Sequence, residues 1–165
     1  MIEKVIQIDR VSRTVKGGRR IRFRALVVIG DGKGKVGIGV GKAGDVSLAI
    51  SKANAKARRK MCAVTIINET IPYEVTHVSG SARIHLKPAP KGTSVIAGGT
   101  VRAIIEAVGI RNIVAKSLGS ANKHNIAQAT LGALQSLNKL HTLYSLKETV
   151  KEDKKKDVKQ TAKNS

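Results

Sequence analysis

A glycine-rich run over residues 30–42, GDGKGKVGIGVGK, limits the folds open to this chain more than any other segment. Apolar residues alternate through its second half, at Val36, Ile38 and Val40. This alternation predicts a strand, preceded by a turn over residues 30–34 that carries Lys33 and Lys35. The glycines within the strand would let another backbone, or RNA, come close to it.

The same run raises the possibility of a nucleotide site. Gly32, Gly34 and Gly37 match the GxGxxG spacing of dinucleotide-binding loops. That fingerprint needs the turn to open directly into a helix, whereas here a strand follows. A phosphate-binding loop of the GxxxxGK[ST] type fails as well, because Ala43 follows Lys42. A nucleotide-dependent enzyme stays a rival interpretation, which requires saturable binding of a mononucleotide by this loop.

The segment before the glycine run alternates with a period of two. One parity is apolar and consists of Ile21, Phe23, Ala25, Val27 and Ile29. The other parity begins with Arg20, Arg22 and Arg24. A strand with this pattern turns its apolar side to a core and sets the arginines side by side on an open face, about 6.6 Å apart. That distance is close to the phosphate spacing along a nucleic-acid strand.

Positive charge is concentrated in the first sixty residues. The chain has 31 Lys and Arg against 11 Asp and Glu, a net charge of +20, and sixteen of those basic residues lie before position 61. Such self-repulsion calls for a polyanion, and nucleic acid is the expected one. No basic amphipathic helix with bulky aromatics is present to enter a membrane surface, and no apolar run is long enough to span one. Phe23, Tyr73 and Tyr144 are too few aromatics for base-stacking platforms.

The pattern divides the chain into two small units and a tail. In the first, residues 1–67, a strand from Val5 to Val15, the pair Gly17-Gly18 and the arginine strand predict a hairpin, with the stretch before Val5 loose. The glycine-run strand and a helix from Val46 to about Cys62, capped by Asp45, complete it. The inward stripe of that helix is predicted to be Val46, Ile50, Ala53, Ala57 and Met61.

The second unit is predicted over residues 68–146. Strands near 73–78 and 83–86 come first, and residues 87–99 form a loop, a short strand and a turn. A helix over 100–108, a strand over 110–115 and a last helix that starts at Asn122 follow. Together the two units predict an α+β fold of two small two-layer domains, βββα followed by ββαβα. Residues 147–165 lack apolar periodicity and predict a mobile basic tail.

Catalysis has little support in the sequence. The four histidines, His77, His85, His124 and His141, show no metal-ligand spacing, and the acids do not form an evident acid–base pair. Cys62 is the only cysteine, so no internal disulfide is possible and a reducing compartment is expected. We therefore expect no enzymatic activity, no cofactor and no metal.

Several long motifs are specific enough to indicate a family. The stretch GRRIRFRALVVIGDGKGKVGIGVGKAGDVSLAISKA at residues 18–53, KPAPKGTSVIAGGTVRAIIEAVGI at 87–110 and AKSLGSAN at 115–122 resemble bacterial-type small-subunit ribosomal protein five. The resemblance covers roughly residues 3–140. Asp45, Ser94 and Lys123 depart from it, where the family usually has Glu, Gly and Pro.

The resemblance implies a fold and a set of partners. It implies a first domain similar to double-stranded-RNA-binding domains and a second domain typical of the family. It also implies contact with small-subunit ribosomal RNA near the decoding region, with messenger RNA at its entry channel, and with ribosomal proteins four and eight. The segment 93–102 falls where the family meets protein four, an interface tied to translational accuracy. The compartment would be the bacterial cytoplasm, or an organelle as the alternative.

The candidate site residues follow from the cationic pattern and the resemblance together. For RNA they are Arg10, Arg13, Lys16, Gly17, Gly18, Arg19, Arg20, Arg22, Arg24, Lys33, Lys35, Lys42, Lys52 and Lys56. For the protein interface they are Thr93, Ser94 and Arg102. The rival in the same class is a DNA-binding architectural protein, which would bind B-form duplex DNA as well as structured RNA.

Overall fold

The computed structural model describes residues 1–138 and 142. In chain order the strands are β1 Ile2–Val15, β2 Gly18–Gly30, β3 Lys35–Ala43, β4 Cys62–Ala63, β5 Val75–Ser79, β6 Ala82–Pro88, β7 Val95–Ile96 and β8 Ile113–Gly119. The helices are α1 Val46–Arg59, α2 Gly99–Val108 and α3, which covers residues 123–138. The predicted α+β class and the order of the main elements are confirmed. β7 is the short strand predicted within residues 87–99, whereas β4 is a short addition to the predicted pattern.

The first sheet has the strand order β1-β2-β3-β4, with every neighbouring pair antiparallel. β1 starts earlier than predicted, because Ile2 to Lys4 pair with residues 28–30 of β2. The prediction that the stretch before Val5 is loose was therefore wrong. Side chains also hold this stretch: Glu3 accepts hydrogen bonds from Arg58 and Asn54 of α1, and Lys4 forms an ion pair with Glu106 of α2.

The glycines of β3 allow α1 to lie directly on the sheet. Gly37, Gly39 and Gly41 lie under the backbone of Ala57, Ala53 and Ala49, and a Cβ on any of these glycines would overlap a carbonyl oxygen of the helix. The close approach predicted from the glycine run is thus made by a helix backbone of the same chain. Small residues on both sides replace the interdigitated side chains of an ordinary helix–sheet contact.

The buried stripe of α1 differs from the predicted one. Its fully buried residues are Ala49, Ala53 and Ala57, while Val46 and Ile50 are only half-buried. The helix ends at Arg59, so Met61 lies outside it. The glycines of β3 draw the alanine side of the helix inward, and the larger residues move to the border of the contact. Asp45 occupies the N-cap position, but its side chain makes no capping hydrogen bond.

The second sheet has the order β5-β6-β8-β7, with α2 joining the parallel strands β7 and β8. The four residues of α2 predicted to face inward, Val101, Ile104, Ile105 and Val108, are all buried. β8 begins at Ile113 rather than Ile110, because the backbone N–H groups of Arg111 and Asn112 donate to the Glu69 carbonyl. α3 buries Ala133, Leu134 and Leu137 as predicted.

The two sheets share one hydrophobic core through α2. Leu26, Val28 and Ile38 of the first sheet belong to the same buried cluster as Ile104 and Val108 of α2. The first sheet is therefore covered by α1 on one face. On the other face α2 covers the end of the sheet that contains Leu26, Val28 and Ile38. The predicted boundary between residues 67 and 68 stays a prediction. The tail over 147–165 and the end of the second unit lie outside the described residues.

Candidate nucleic-acid interface

The hairpin of β1 and β2 extends beyond the rest of its sheet. β3 ends at Ala43, opposite Phe23, so residues 11–22 form an arm in which the two strands pair only with each other. The arm turns at Lys16-Gly17, and Gly17 adopts φ 89°, a left-handed value that a residue with a side chain rarely takes. From Arg10 to Gly30 the chain has no acidic residue.

Five basic residues cluster on one side of this sheet, at its arm end. Arg13 lies opposite Arg20, and Lys42 lies opposite Arg24. Because directly paired residues share a face and residues two apart on one strand share it too, Arg13, Arg20, Arg22, Arg24 and Lys42 form one surface, the cationic face. All five residues are exposed. The predicted row of arginines therefore lies on an open surface and is widened by one residue from each neighbouring strand.

Arg24 at the base of the arm is held in place by Asp9. Arg24 donates to Asp9 Oδ2 from Nε at 3.1 Å and from Nη2 at 2.7 Å, while Gln7 Nε2 donates to Oδ1 at 2.5 Å. The hydrogen bonds from Arg24, followed by that from Gln7, hold the pKa of Asp9 below its usual range. Asp9 is thus ionised at neutral pH and orients the guanidinium of Arg24.

Other predicted RNA contacts lie on the reverse side of the hairpin or at its tip. Arg10 pairs with Phe23 and Arg19 with Thr14, so both share the face that α1 covers further down the sheet. Lys16 and Gly17 form the turn, and Gly18 is the first residue of β2. The arm consequently presents cations on both faces and at its end.

A groove between β3 and α1 continues the basic surface around the edge of the sheet. It measures about 560 Å³ and is lined by Val40, Lys42, Lys52, Ala55, Lys56 and Arg59. Lys52 and Lys56 are among the predicted RNA contacts, whereas Arg59, which lines the same groove, is not. The i, i+4, i+7 spacing of the three basic residues on α1 is the signal that could have found it. Lys42 belongs to both the groove and the cationic face.

The turn between β2 and β3 lies at the opposite end of the sheet, about 20 Å from Arg24 along β2. Its backbone N–H groups are engaged: Gly32 and Gly34 donate to the carbonyls of Ala107 and Val108, and Lys33 and Lys35 donate to Asp31 Oδ1. Those four N–H groups are not available to cradle a phosphate. The turn joins the first sheet to α2, and the exposed Lys33 and Lys35 side chains stand apart from the cationic face.

The residues predicted for a protein interface surround the loop before β7. Ser94 adopts φ 67°, and the N–H groups of Gly92 and Ser94 donate to Oδ1 of the buried Asn112. Thr93 Oγ1 donates to the Pro90 carbonyl at 2.9 Å. Arg102, on the exposed side of α2, donates to Glu106. Sequence reasoning missed Asn112, whose position depends on the bend before β8.

The described part of the chain contains no cluster of side chains arranged to bind a metal ion, and its cysteine is partly buried. No three of its His, Cys, Asp and Glu side chains lie together as metal ligands. Cys62 is half-buried, its Sγ donates to the Val36 carbonyl at 3.3 Å, and burial raises the pKa of the thiol. None of the described helices has the length and apolar character needed to cross a membrane.

Comparisons with known proteins agree in both halves of the chain. Residues 1–65 match the family described as ribosomal protein S5, N-terminal domain, and residues 77–147 match ribosomal protein S5, C-terminal domain. Small ribosomal subunit protein uS5 of Syntrophobacter fumaroxidans is 50% identical over 147 residues, which cover 89% of each chain. The protein of that name from Acidithiobacillus ferrooxidans is 54% identical over 138 residues, 83% of this chain and 78% of the relative. With both domain models matched in order and half of the residues identical over most of its length, the chain belongs to the ribosomal protein S5 family.

Proposed function

We propose that the chain is a structural constituent of the small ribosomal subunit and binds ribosomal RNA through the cationic face and the arm. The observation that carries the proposal is the exposed set Arg13, Arg20, Arg22, Arg24 and Lys42 on one side of the first sheet. The relatives' names describe a protein of that subunit. Those names, too, accord with the expectation that the chain is not an enzyme.

The arrangement suits the recognition of a phosphate backbone. Arginine has a planar fork of donors that matches phosphate oxygens, and same-face arginines on β2 recur at about the spacing of phosphates. Each phosphate that is neutralised releases counterions, so binding weakens with salt. A-form RNA hides most of its base edges, and with few aromatics to stack on bases the protein would recognise the shape of its RNA.

The finer placement rests on the family resemblance. We propose that the tip at Lys16, Gly17 and Gly18, with Arg19, reaches RNA near the decoding region, and that the protein lies beside the messenger entry channel. The loop containing Thr93 and Ser94, with Arg102, would meet protein four and so influence accuracy, and protein eight would be a further neighbour. The hydrogen bonds from this loop to Asn112 support the proposal, because they give the loop a defined shape. Bacterial cytoplasmic ribosomes are the proposed location, with organellar ribosomes as the alternative.

The proposal is tested with the double variant Arg20→Gln, Arg22→Gln in the full chain. Both side chains are exposed, so the melting temperature should stay near that of the parent protein. Affinity for a small-subunit ribosomal RNA transcript should fall, and the slope of log K against log salt should flatten by about 1.4 to 1.8 for two lost phosphate contacts. Fluorescence anisotropy at several salt concentrations measures both.

The matched control removes two positive charges from the outer face of the second sheet, with Arg83→Gln and Lys116→Gln. It should leave affinity and slope nearly unchanged. If both double variants bind RNA like the parent, the cationic face does not bind RNA. Competition between the RNA transcript and B-form duplex DNA at fixed salt adds a second criterion. Equal affinity for the two would favour the DNA-architectural alternative.

A further inference from the structure

A cleft opens where the cationic face meets the start of α3. It measures about 210 Å³ and is lined by Gln7, Asp9, Arg24, Leu26, Val40, Lys42, Asn122 and His124. The first six residues come from the first sheet, and the last two from the second unit. We call it the junction cleft. Its volume holds several water-sized groups, enough for a phosphate group.

The charges around the junction cleft are mainly positive. Arg24 and Lys42 line it from the sheet. Lys123 stands between Asn122 and His124, which both line the cleft. The pKa of Asp9 is lowered chiefly by the hydrogen bond from Arg24, with a smaller contribution from the charge of Lys123. Both Asp9 oxygens are already occupied, by Arg24 and by Gln7. The carboxylate of Asp9 therefore lies among three cations, Arg24, Lys42 and Lys123. A bound anion would balance the remaining positive charge.

One polar atom on the wall from the second unit also lacks a partner. The ring Nδ1 of His124 is buried and has no hydrogen-bond partner. Such an orphaned buried nitrogen calls for a water, an ion or a ligand group beside it. Asn122 Oδ1 accepts from the His124 backbone N–H at 3.1 Å, which fixes the first turn of α3 at the cleft wall. The helix N-terminus adds a positive end to the same wall.

Arg24 retains donors for a ligand. A guanidinium has five N–H groups, and Asp9 engages only Nε and one Nη of Arg24. Asp9 thus acts as a positioning residue that aims the rest of the fork. The floor of the cleft, Leu26 and Val40, is apolar, which strengthens an ionic contact made above it.

We propose that the junction cleft binds one phosphate group of the RNA backbone, held jointly by Arg24 and Lys42 of the first unit and by Lys123 of the second, beside His124. This proposal rests on the proposed binding of RNA by the cationic face, which it extends. Both units would then contact the same RNA strand at the base of the arm. Lys123 stands where the resembled family usually has proline, so this chain has one more cation at the site than that pattern provides.

The first test adds inorganic phosphate to the full chain and follows the amide signals of residues 122–124 and the His124 ring by NMR. Sodium chloride of matched ionic strength is the reference. Saturable shifts confined to the junction cleft, and lost in the variant Lys123→Gln, are expected. Shifts that do not saturate, or that spread equally over surface lysines, would overturn the proposal.

The second test uses the small-subunit ribosomal RNA transcript. Lys123→Gln should reduce the salt slope by about 0.7 to 0.9, equivalent to roughly a threefold smaller loss of affinity between 50 and 200 mM salt. Lys116→Gln is the matched control and should leave the slope unchanged. RNA should also shift the amide signals of residues 122–124. If inorganic phosphate shifts them and RNA does not, the assignment to the RNA backbone is wrong.

The two proposals fail in different ways. If Arg20→Gln, Arg22→Gln weakens RNA binding and Lys123→Gln has no effect, the junction cleft is overturned and the cationic face stands. If neither variant changes RNA binding, the proposed function itself is wrong, whatever inorganic phosphate does at the cleft.

Discussion

Arg13 of β1 and Arg20 of β2 lie directly opposite each other in the antiparallel register, exposed on the same face of the arm. Directly opposed side chains have Cβ atoms about 5 Å apart, so the two like charges destabilise the free arm. No acidic side chain lies between Arg10 and Gly30 to relieve them. An arrangement that costs stability in the free protein is expected where a polyanion binds.

The variant Arg13→Glu should stabilise the arm and weaken RNA binding. An opposed Glu–Arg pair replaces an Arg–Arg pair, which favours the closed hairpin by about 0.2 to 1 kcal/mol. Amide hydrogen exchange in residues 11–22 should slow accordingly, because the arm can open locally without global unfolding. RNA affinity should fall in the same variant.

Arg19→Glu is the matched control for that variant, since Arg19 lies opposite Thr14 and opposes no like charge. Its amides should exchange at nearly the parent rate. Equal slowing in both variants would show that repulsion between Arg13 and Arg20 is not the cause.

Gly39→Ala should strongly destabilise the protein. A Cβ at this position would overlap the Ala53 carbonyl and press against the Ala57 nitrogen, so α1 has to move off the sheet. We expect a loss of at least about 2 kcal/mol in the free energy of unfolding, measured with urea. Gly44→Ala is the control, because nothing lies within 4 Å of a Cβ there. A Gly39→Ala protein as stable as the control would refute the close contact between helix and sheet.

Ser94→Gly should stabilise the loop before β7. Ser94 adopts φ 67°, a left-handed conformation that costs a residue with a side chain on the order of 1 kcal/mol and costs glycine little. The free energy of unfolding should rise by up to that amount, and the hydrogen bond to Asn112 should persist because it uses the backbone N–H. Ser94→Ala keeps the Cβ and should show no gain. A gain of the same size in both variants would assign the effect to the hydroxyl.

Glu106→Gln should lower the free energy of unfolding at neutral pH, because it weakens the contact between Lys4 of β1 and α2. In acid the variant and the parent should become equally stable. The hydrogen bond from Lys4, followed by that from Arg102, holds the pKa of Glu106 below its usual range. A carboxyl with a lowered folded pKa contributes stability above its ordinary pKa of about 4.3, and that contribution is lost as pH falls through the folded value. Urea unfolding should therefore show parent and variant apart at pH 7 and converging as the pH falls below about 4.3.

Glu74→Gln is the charge-matched control for the acid series, since Glu74 is exposed and, among the residues that the structure describes, forms an ion pair with His85 alone. Its difference from the parent at pH 7 should be smaller than that of Glu106→Gln. If the difference in free energy of unfolding between Glu106→Gln and the parent persists unchanged to pH 3, ionisation of Glu106 does not stabilise the protein.

Local patterns in the sequence were sufficient for much of the fold. The alternation in β2 predicted its row of arginines and the burial of Ala25, Val27 and Ile29, although Ile21, in the arm beyond α1, is exposed. Gly17 with Gly18 predicted the hairpin. The inward residues of α2 followed from helical periodicity alone. These features depend on backbone preferences and on neighbours a few positions away, so they can be read without knowing what packs above them.

The sequence by itself determined the main strands and helices, the row of arginines on β2 and the excess of positive charge. Only the tertiary structure decided what the glycines of β3 lie against, which arginines oppose each other and where the second unit meets the first. Lys4 and Glu106 form their ion pair although they are 102 positions apart, and Asp9 comes near Lys123 in the same way. Such contacts depend on how two units pack around one core, and no period within a single strand or helix carries that information.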